Sequence, residues 1–138
     1  PGRIRQLTVQ GQAPQRVLLY AGLNDVMFYV PVEVFQAEYC LLLSRLRQAY
    51  PQAQVFCGTL LLGEVAGTQG SLRGVLQRMA PYNEAIRAAA AQEGGLLVDL
   101  AAQSTRYLAL DAFHPTGEGM VQLAACWLRA MKAAGYAP

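Results

Sequence analysis

The sequence predicts an α/β domain in which a parallel sheet lies between two layers of helix. Three short apolar runs read as buried strands, three long stretches carry helical periodicity, and the two kinds alternate along the chain. A helix after each strand returns the chain to the sheet by right-handed crossovers, which leaves the strands parallel and puts helices on both faces. At 138 residues the chain suits one domain with one core, and 54% hydrophobic against 14% charged residues excludes a disordered chain.

Residues 4–10 are short and mixed. Ile4 and Leu7 share a helix face whereas Leu7 and Val9 alternate like a strand, and the reading leans to the end of a helix. A turn-like linker with Pro14 follows at 11–15. Residues 16–21 (RVLLYA) are continuously apolar, the pattern of a strand buried on both faces, and Gly22-Leu23-Asn24-Asp25 ends that strand sharply. Residues 31–50 read as a helix with Phe35, Tyr39, Leu42, Leu46 and Ala49 on its apolar stripe and Pro31 near its start. Residues 54–62 (QVFCGTLLL) are the second buried strand, and the glycine-rich stretch 63–70 is a surface loop.

The second long helix is expected over 72–93, with a break or kink at Pro81. Val75, Leu76 and Met79 face inward before it, and Tyr82, Ile86 and Ala89 or Ala90 after it. Gly94-Gly95 then close the helix in the left-handed way. Residues 96–100 (LLVDL) are the third strand, 101–113 a loop, and 116–134 the last helix, striped by Met120, Leu123, Ala124, Trp127, Leu128 and Met131.

Composition removes several functions. The net charge is +2 and the eleven basic residues are scattered, unlike the dense basic face of a nucleic-acid binder. The longest apolar run falls well short of the ~20 residues that span a bilayer. Cys40, Cys57 and Cys126 form neither a CxxC pair nor a Cys/His cluster, so they read as small core hydrophobes rather than zinc ligands or a disulfide framework. The chain opens at Pro1 with no signal-peptide pattern, which suggests a start inside something longer or a processed chain. A flavin or nucleotide binder of similar architecture finds no Gly-x-Gly-x-x-Gly or Walker loop to support it.

Two polar clusters follow strand ends, where sheets of this kind collect their chemistry. The single histidine, His114, lies in Asp111-Ala112-Phe113-His114-Pro115-Thr116. If the loop turns back, the Asp111 carboxylate accepts the Nδ1 proton of His114 and leaves Nε2 free to take a proton from a nucleophile. Pro115 keeps His114 out of the following helix. The alternative is that His114 caps that helix while Asp111 sits on a solvated loop. In the second cluster, Asn24 offers an uncharged NH₂ donor suited to a developing oxyanion, and Gly22 lets the backbone turn closely beside a substrate. Its alternative is a plain turn with Asn24 or Asp25 capping a helix.

Taken together, the clusters resemble blocks of the SGNH (GDSL-like) ester hydrolases. Gly22-Leu23-Asn24-Asp25 is similar to that family's Gly-x-Asn-Asp block, and Asp111-Ala112-Phe113-His114-Pro115 to its Asp-x-x-His-Pro block. Ala80-Pro81-Tyr82-Asn83-Glu84-Ala85-Ile86 resembles the Tyr-Asn-x-x-Ile stretch common in these enzymes, and Val98-Asp99-Leu100 the strand before the histidine block. The resemblance runs from Val17 onward. It implies a flavodoxin-like three-layer sandwich, with Asn24 as oxyanion donor, Asp111 as triad acid, His114 as general base, and Gly22 and Asp25 beside the substrate. It also implies a small acyl ester as substrate and no metal or organic cofactor.

The family's Gly-Asp-Ser block, which supplies the nucleophile, and its second block, which supplies an oxyanion-hole glycine, have no recognisable match before Val17. Ser44 falls in a helix, Ser104 in a loop, and Ser71 follows a loop rather than a strand. The expectation is therefore one partial domain over 1–138, inactive by itself. Its serine and N-terminal strands would come from another segment or chain that covers the sheet edge at 16–21. A non-catalytic relative, binding or scaffolding without the serine, is the alternative.

Overall fold

The structure, a computed structural model, describes residues 4, 7, 8, 10–65, 73–103 and 106–136. Its elements are β1 (Arg16–Leu19), α1 (Leu23–Met27), α2 (Val32–Ala49), β2 (Gln54–Gly58), α3 (Arg73–Glu93), β3 (Leu96–Val98) and α4 (Gly117–Ala133). The strands form one parallel sheet in the order β1-β2-β3, with Arg16 opposite Gln54 and Phe56 opposite Leu96. Successive side chains on a strand point to opposite faces. Val55 and Cys57 therefore join a core with Phe35, Tyr39, Leu43 and Leu46 of α2 and with Met79, Tyr82 and Ile86 of α3. Phe56 faces the other way, onto Cys126, Trp127, Ala130 and Met131 of α4. The three-layer arrangement expected from the alternation is the observed one.

Burial is unequal across the sheet. β2 is buried from Val55 to Gly58, but β1 alternates between exposed and half-buried, and Leu18 is 54% exposed. The expectation that β1 is buried on both faces is thus corrected. Val17 and Leu19 pack under α2 and α3, whereas the α4-side cluster takes in no residue of β1. An apolar run shows only that a strand can be buried; burial needs a layer on each side.

The helices shift their expected stripes. In α2 the buried positions are Phe35, Tyr39, Leu43 and Leu46, with Leu42 and Ala49 only half-buried. In α4 they are Gly119, Cys126, Trp127, Ala130 and Met131, while Ala124, Met120 and Leu128 are exposed. The first turn sets that rotation. A Cβ at Gly119 would stand 1.8 Å from the Leu108 carbonyl oxygen, so only glycine allows this approach and it turns Met120 outward. Of the break or kink expected at Pro81, no break occurs: α3 runs from Arg73 to Glu93 with Pro81 inside it. Pro81 and Gln77, whose carbonyl loses its partner, are both exposed, so the missing bond falls on the solvent side. Gly94 then ends α3 at positive φ, and the Gly95 N–H donates to the Ala90 carbonyl at 2.8 Å, as the sequence suggests.

All three strands are shorter than expected, ending at Leu19, Gly58 and Val98. Beyond β2, residues 59–63 leave the sheet yet stay buried. Their backbone groups need partners, since an unpaired buried N–H or C=O is costly. Asn83 on α3 supplies two: its Oδ1 accepts from the Leu60 N–H at 2.7 Å, and its Nδ2 donates to the Leu60 carbonyl at 3.1 Å. One amide thereby imitates a neighbouring strand. Residues 5, 6 and 9 of the first segment and 66–70 of the glycine-rich loop lie outside the described residues, as do Ser71 and Ser104.

Asn83→Ala strands two buried polar groups at Leu60, and the expected cost is about 2–4 kcal/mol. Urea denaturation of the two proteins checks this; a cost below about 0.5 kcal/mol would mean that Leu60 finds other partners.

Candidate active site

The backbone leaves β1 through Tyr20 and Ala21 and turns at Gly22, whose φ of 126° is open to glycine and strained for other residues. A Cβ there would also meet the Phe35 ring at 3.0 Å. Gly22 is therefore needed for the turn itself as well as for its nearness to the pocket. What the sequence suggested as a turn is the short helix α1, with Asn24 exposed in its first turn and Asp25 half-buried beside it. The Asn24 carbonyl accepts from the Phe28 N–H at 2.8 Å, and the Asp25 carbonyl from the Val30 N–H at 3.0 Å.

On the far side of the pocket, residues 109–115 form a small reversing loop. Ala109 and Pro115 make an antiparallel bridge, and the Leu110 N–H donates to the His114 carbonyl at 2.8 Å. Ala112 sits at φ 72°, a left-handed conformation costing roughly 1 kcal/mol for a residue with a Cβ. That reversal turns Asp111 back on His114. Asp111 Oδ2 lies 2.7 Å from His114 Nδ1, and Asp111 Oδ1 accepts from the His114 and Phe113 backbone N–H groups at 2.9 and 3.0 Å. The helix is capped by Thr116, whose Oγ1 accepts from the Gly119 N–H at 2.9 Å, so His114 is not the cap.

The His114 backbone N–H, then its ring and the Phe113 N–H, hold the Asp111 carboxyl down at about 2, below its ordinary 3.8. Both side chains are largely open to water, His114 at 77% and Asp111 at 54%, so solvent screens the pair. A depressed carboxylate pKa favours the folded state above the unfolded value, and that contribution is lost as pH falls towards about 2.

Asn24 and His114 open onto one cavity of about 830 Å³, together with Gly22, Asp25, Tyr20 and Tyr107 and the apolar Leu23, Met27, Phe28, Phe113, Met120 and Leu123. Asp111 does not line it; its carboxylate is bonded to the Nδ1 side of the ring. The two loops are tied together through the buried stretch after β2. The Tyr20 hydroxyl donates to the Leu61 carbonyl at 2.8 Å and accepts from the Leu61 N–H at 3.1 Å. The Tyr107 hydroxyl is shared between the Leu61 and Phe113 carbonyls, each at 3.3 Å, and the Gly63 N–H donates to the Ala112 carbonyl at 2.8 Å. Sequence reasoning missed both tyrosines. Their rings read as strand or loop apolar residues, and nothing local shows where their hydroxyls go.

Elsewhere Asp99 takes a two-pronged contact from Arg87 at 3.0–3.1 Å and a hydrogen bond from Thr59 at 2.9 Å, which fixes the end of β3 to α3. Among the described residues, no three His, Cys, Asp or Glu side chains gather closely enough to hold a metal ion. Nor is any helix there long and apolar enough to cross a membrane.

A parallel sheet between helical layers is the fold that this chain shares with GDSL/SGNH hydrolases. The chain belongs to the GDSL-like lipase/acylhydrolase family, whose model matches residues 1–121. No curated protein matches it. Among solved structures it is similar to a GDSL-like lipase from Bacteroides thetaiotaomicron (22% identity, TM-score 0.63, 96% of this chain and 68% of that one). It is also similar to an acetylxylan esterase from Geobacillus stearothermophilus (21%, 0.63, 99% and 66%). An alpha/beta hydrolase enzyme from the metagenome of Lake Arreo in Spain gives 26% and 0.59 over 94% of this chain and 65% of that one. The chain spans 61–68% of the length of the first three structures found.

The Asp111 carboxyl carbon, followed by NMR, should titrate near 2. In His114→Ala its midpoint should rise but stay below 3.8, because two backbone donors remain. A full return to 3.8 would assign the whole depression to the imidazole.

Proposed function

We propose that this chain is one partial domain of a carboxylic ester hydrolase acting on a small acyl ester through a Ser-His-Asp triad. One observation carries the reading. The imidazole, oriented by a carboxylate at 2.7 Å, and an exposed carboxamide open onto the same cavity. In this reading the serine lies outside the 138 residues, on the segment or chain that also covers β1, where Leu18 stands 54% exposed at the sheet edge.

The steps proposed are those of a serine triad with these residues in the named roles. Serine Oγ attacks the ester carbonyl carbon while His114 Nε2 takes its proton, and the carbonyl oxygen becomes an oxyanion that the Asn24 NH₂ stabilises. The intermediate collapses with loss of the alcohol, which takes the proton from Nε2 and leaves an acyl-serine. Water then adds by the same route and releases the acid and the serine. Asp111 holds Nδ1–H throughout, fixing the tautomer and stabilising the imidazolium. Gly22 and Asp25 line the substrate's side of the turn.

The 138-residue chain alone is expected to show no serine-dependent turnover; labelling of Ser71 by a fluorophosphonate would overturn this. With the serine-bearing segment restored, p-nitrophenyl acetate should be hydrolysed, and His114→Ala should abolish the activity. Asn24→Ala should lower kcat by about 10²–10³ with KM little changed. Turnover that survives His114→Ala would end the triad reading, and no turnover with that segment restored would favour a non-catalytic binding domain.

A further inference from the structure

We infer that Tyr82 is a positioning residue for the oxyanion turn, an inference that rests on the hydrolase reading above. Tyr82 lies on α3, far from Asn24 in sequence and outside the cavity lining. Its hydroxyl nevertheless reaches under the turn that carries Asn24. It donates to the Val30 carbonyl, and the Asp25 carbonyl lies 3.4 Å from the same oxygen. Asp25 and Val30 are also joined by a backbone hydrogen bond, so one phenol grips the turn at both ends of its closing contact.

The ring completes the support. It packs against Phe35 at 5.3 Å between centroids, and Phe35 is the ring that a Cβ at Gly22 would strike. Tyr82 thus holds α1 from its far end by the hydroxyl and, through Phe35, from its start. One turn earlier on the same face of α3, the Arg78 guanidinium sits over the Tyr29 ring, 5.1 Å from its centroid. Tyr29 is the left-handed residue of the turn, with φ 56°.

This support has a consequence for chemistry. α1 is five residues long, too short to hold its own geometry in water, and Asn24 is exposed in its first turn. An oxyanion donor must be in place before charge develops, because reorientation during the reaction would forfeit its advantage. α3 supplies that fixed position. Tyr82 touches neither substrate nor reacting atoms and acts through the backbone that presents Asn24.

The test uses the protein with its serine-bearing segment and p-nitrophenyl acetate. Tyr82→Phe keeps the ring packing and removes the hydroxyl. It should lower kcat about tenfold, the worth of one neutral hydrogen bond, and leave KM within about twofold. In an Asn24→Ala background the same change should cost less than about twofold, since the group it positions is gone. Unchanged kcat in Tyr82→Phe, or losses that multiply fully in the double variant, would overturn the inference while leaving the triad intact. A lower Tm with unchanged kcat per folded molecule would make Tyr82 a packing residue only, which also overturns it. Failure of the parent protein to turn over at all would instead remove the hydrolase reading, and this inference with it.

Discussion

The structure depends on how the buried backbone of residues 59–63 is satisfied. β2 stops pairing at Gly58, but the chain stays inside the protein and runs between the two site loops. Each of its buried polar groups needs a partner. The partners come from everywhere around it: Val98 for the Thr59 N–H, Asn83 for Leu60, Tyr20 and Tyr107 for Leu61, and Ala112 for the Gly63 N–H. Meeting this one requirement fixes α3, the end of β1 and the histidine loop against a common rail.

The site inherits its geometry from that rail. Tyr20 anchors the strand that leads into the Gly22 turn, and Tyr107 with Gly63 anchors the loop that carries Asp111 and His114. Burial drives the Tyr20 phenol well above its ordinary pKa, and it raises Tyr107 as well, so both remain neutral donors at any physiological pH. The Asp111 carboxylate is treated in the opposite way, being exposed, ringed by N–H donors and charged. Neutral hydroxyls build the frame, and the ionised group is kept at its surface.

The sequence was informative where the interactions are local. The Asp111–His114 contact spans three residues and the Gly22 turn is confined to its neighbours, so residue type and spacing were enough to place both clusters at strand ends. The same locality explains the Gly94 helix stop. Reading was poorer where rotation or layering matters. The apolar positions of α4 permit more than one stripe, and the contact of Gly119 with Leu108 selects the one that leaves Met120 and Leu128 in water. The stretch Tyr82-Asn83 was visible as a resemblance, but its partners Asp25, Val30 and Leu60 lie 23 to 57 residues away.

By itself the sequence determined the class of fold, the order of its elements and the candidate acid–base pair, because hydropathic period and short-range hydrogen-bonding capacity are properties of neighbouring residues. Tertiary structure decided which apolar faces are covered, how the buried stretch after β2 is satisfied, and that Asn24 and His114 share a cavity. Those outcomes depend on hydrogen bonds and packing between segments far apart in the chain, whose geometry exists only after the layers have closed on one another.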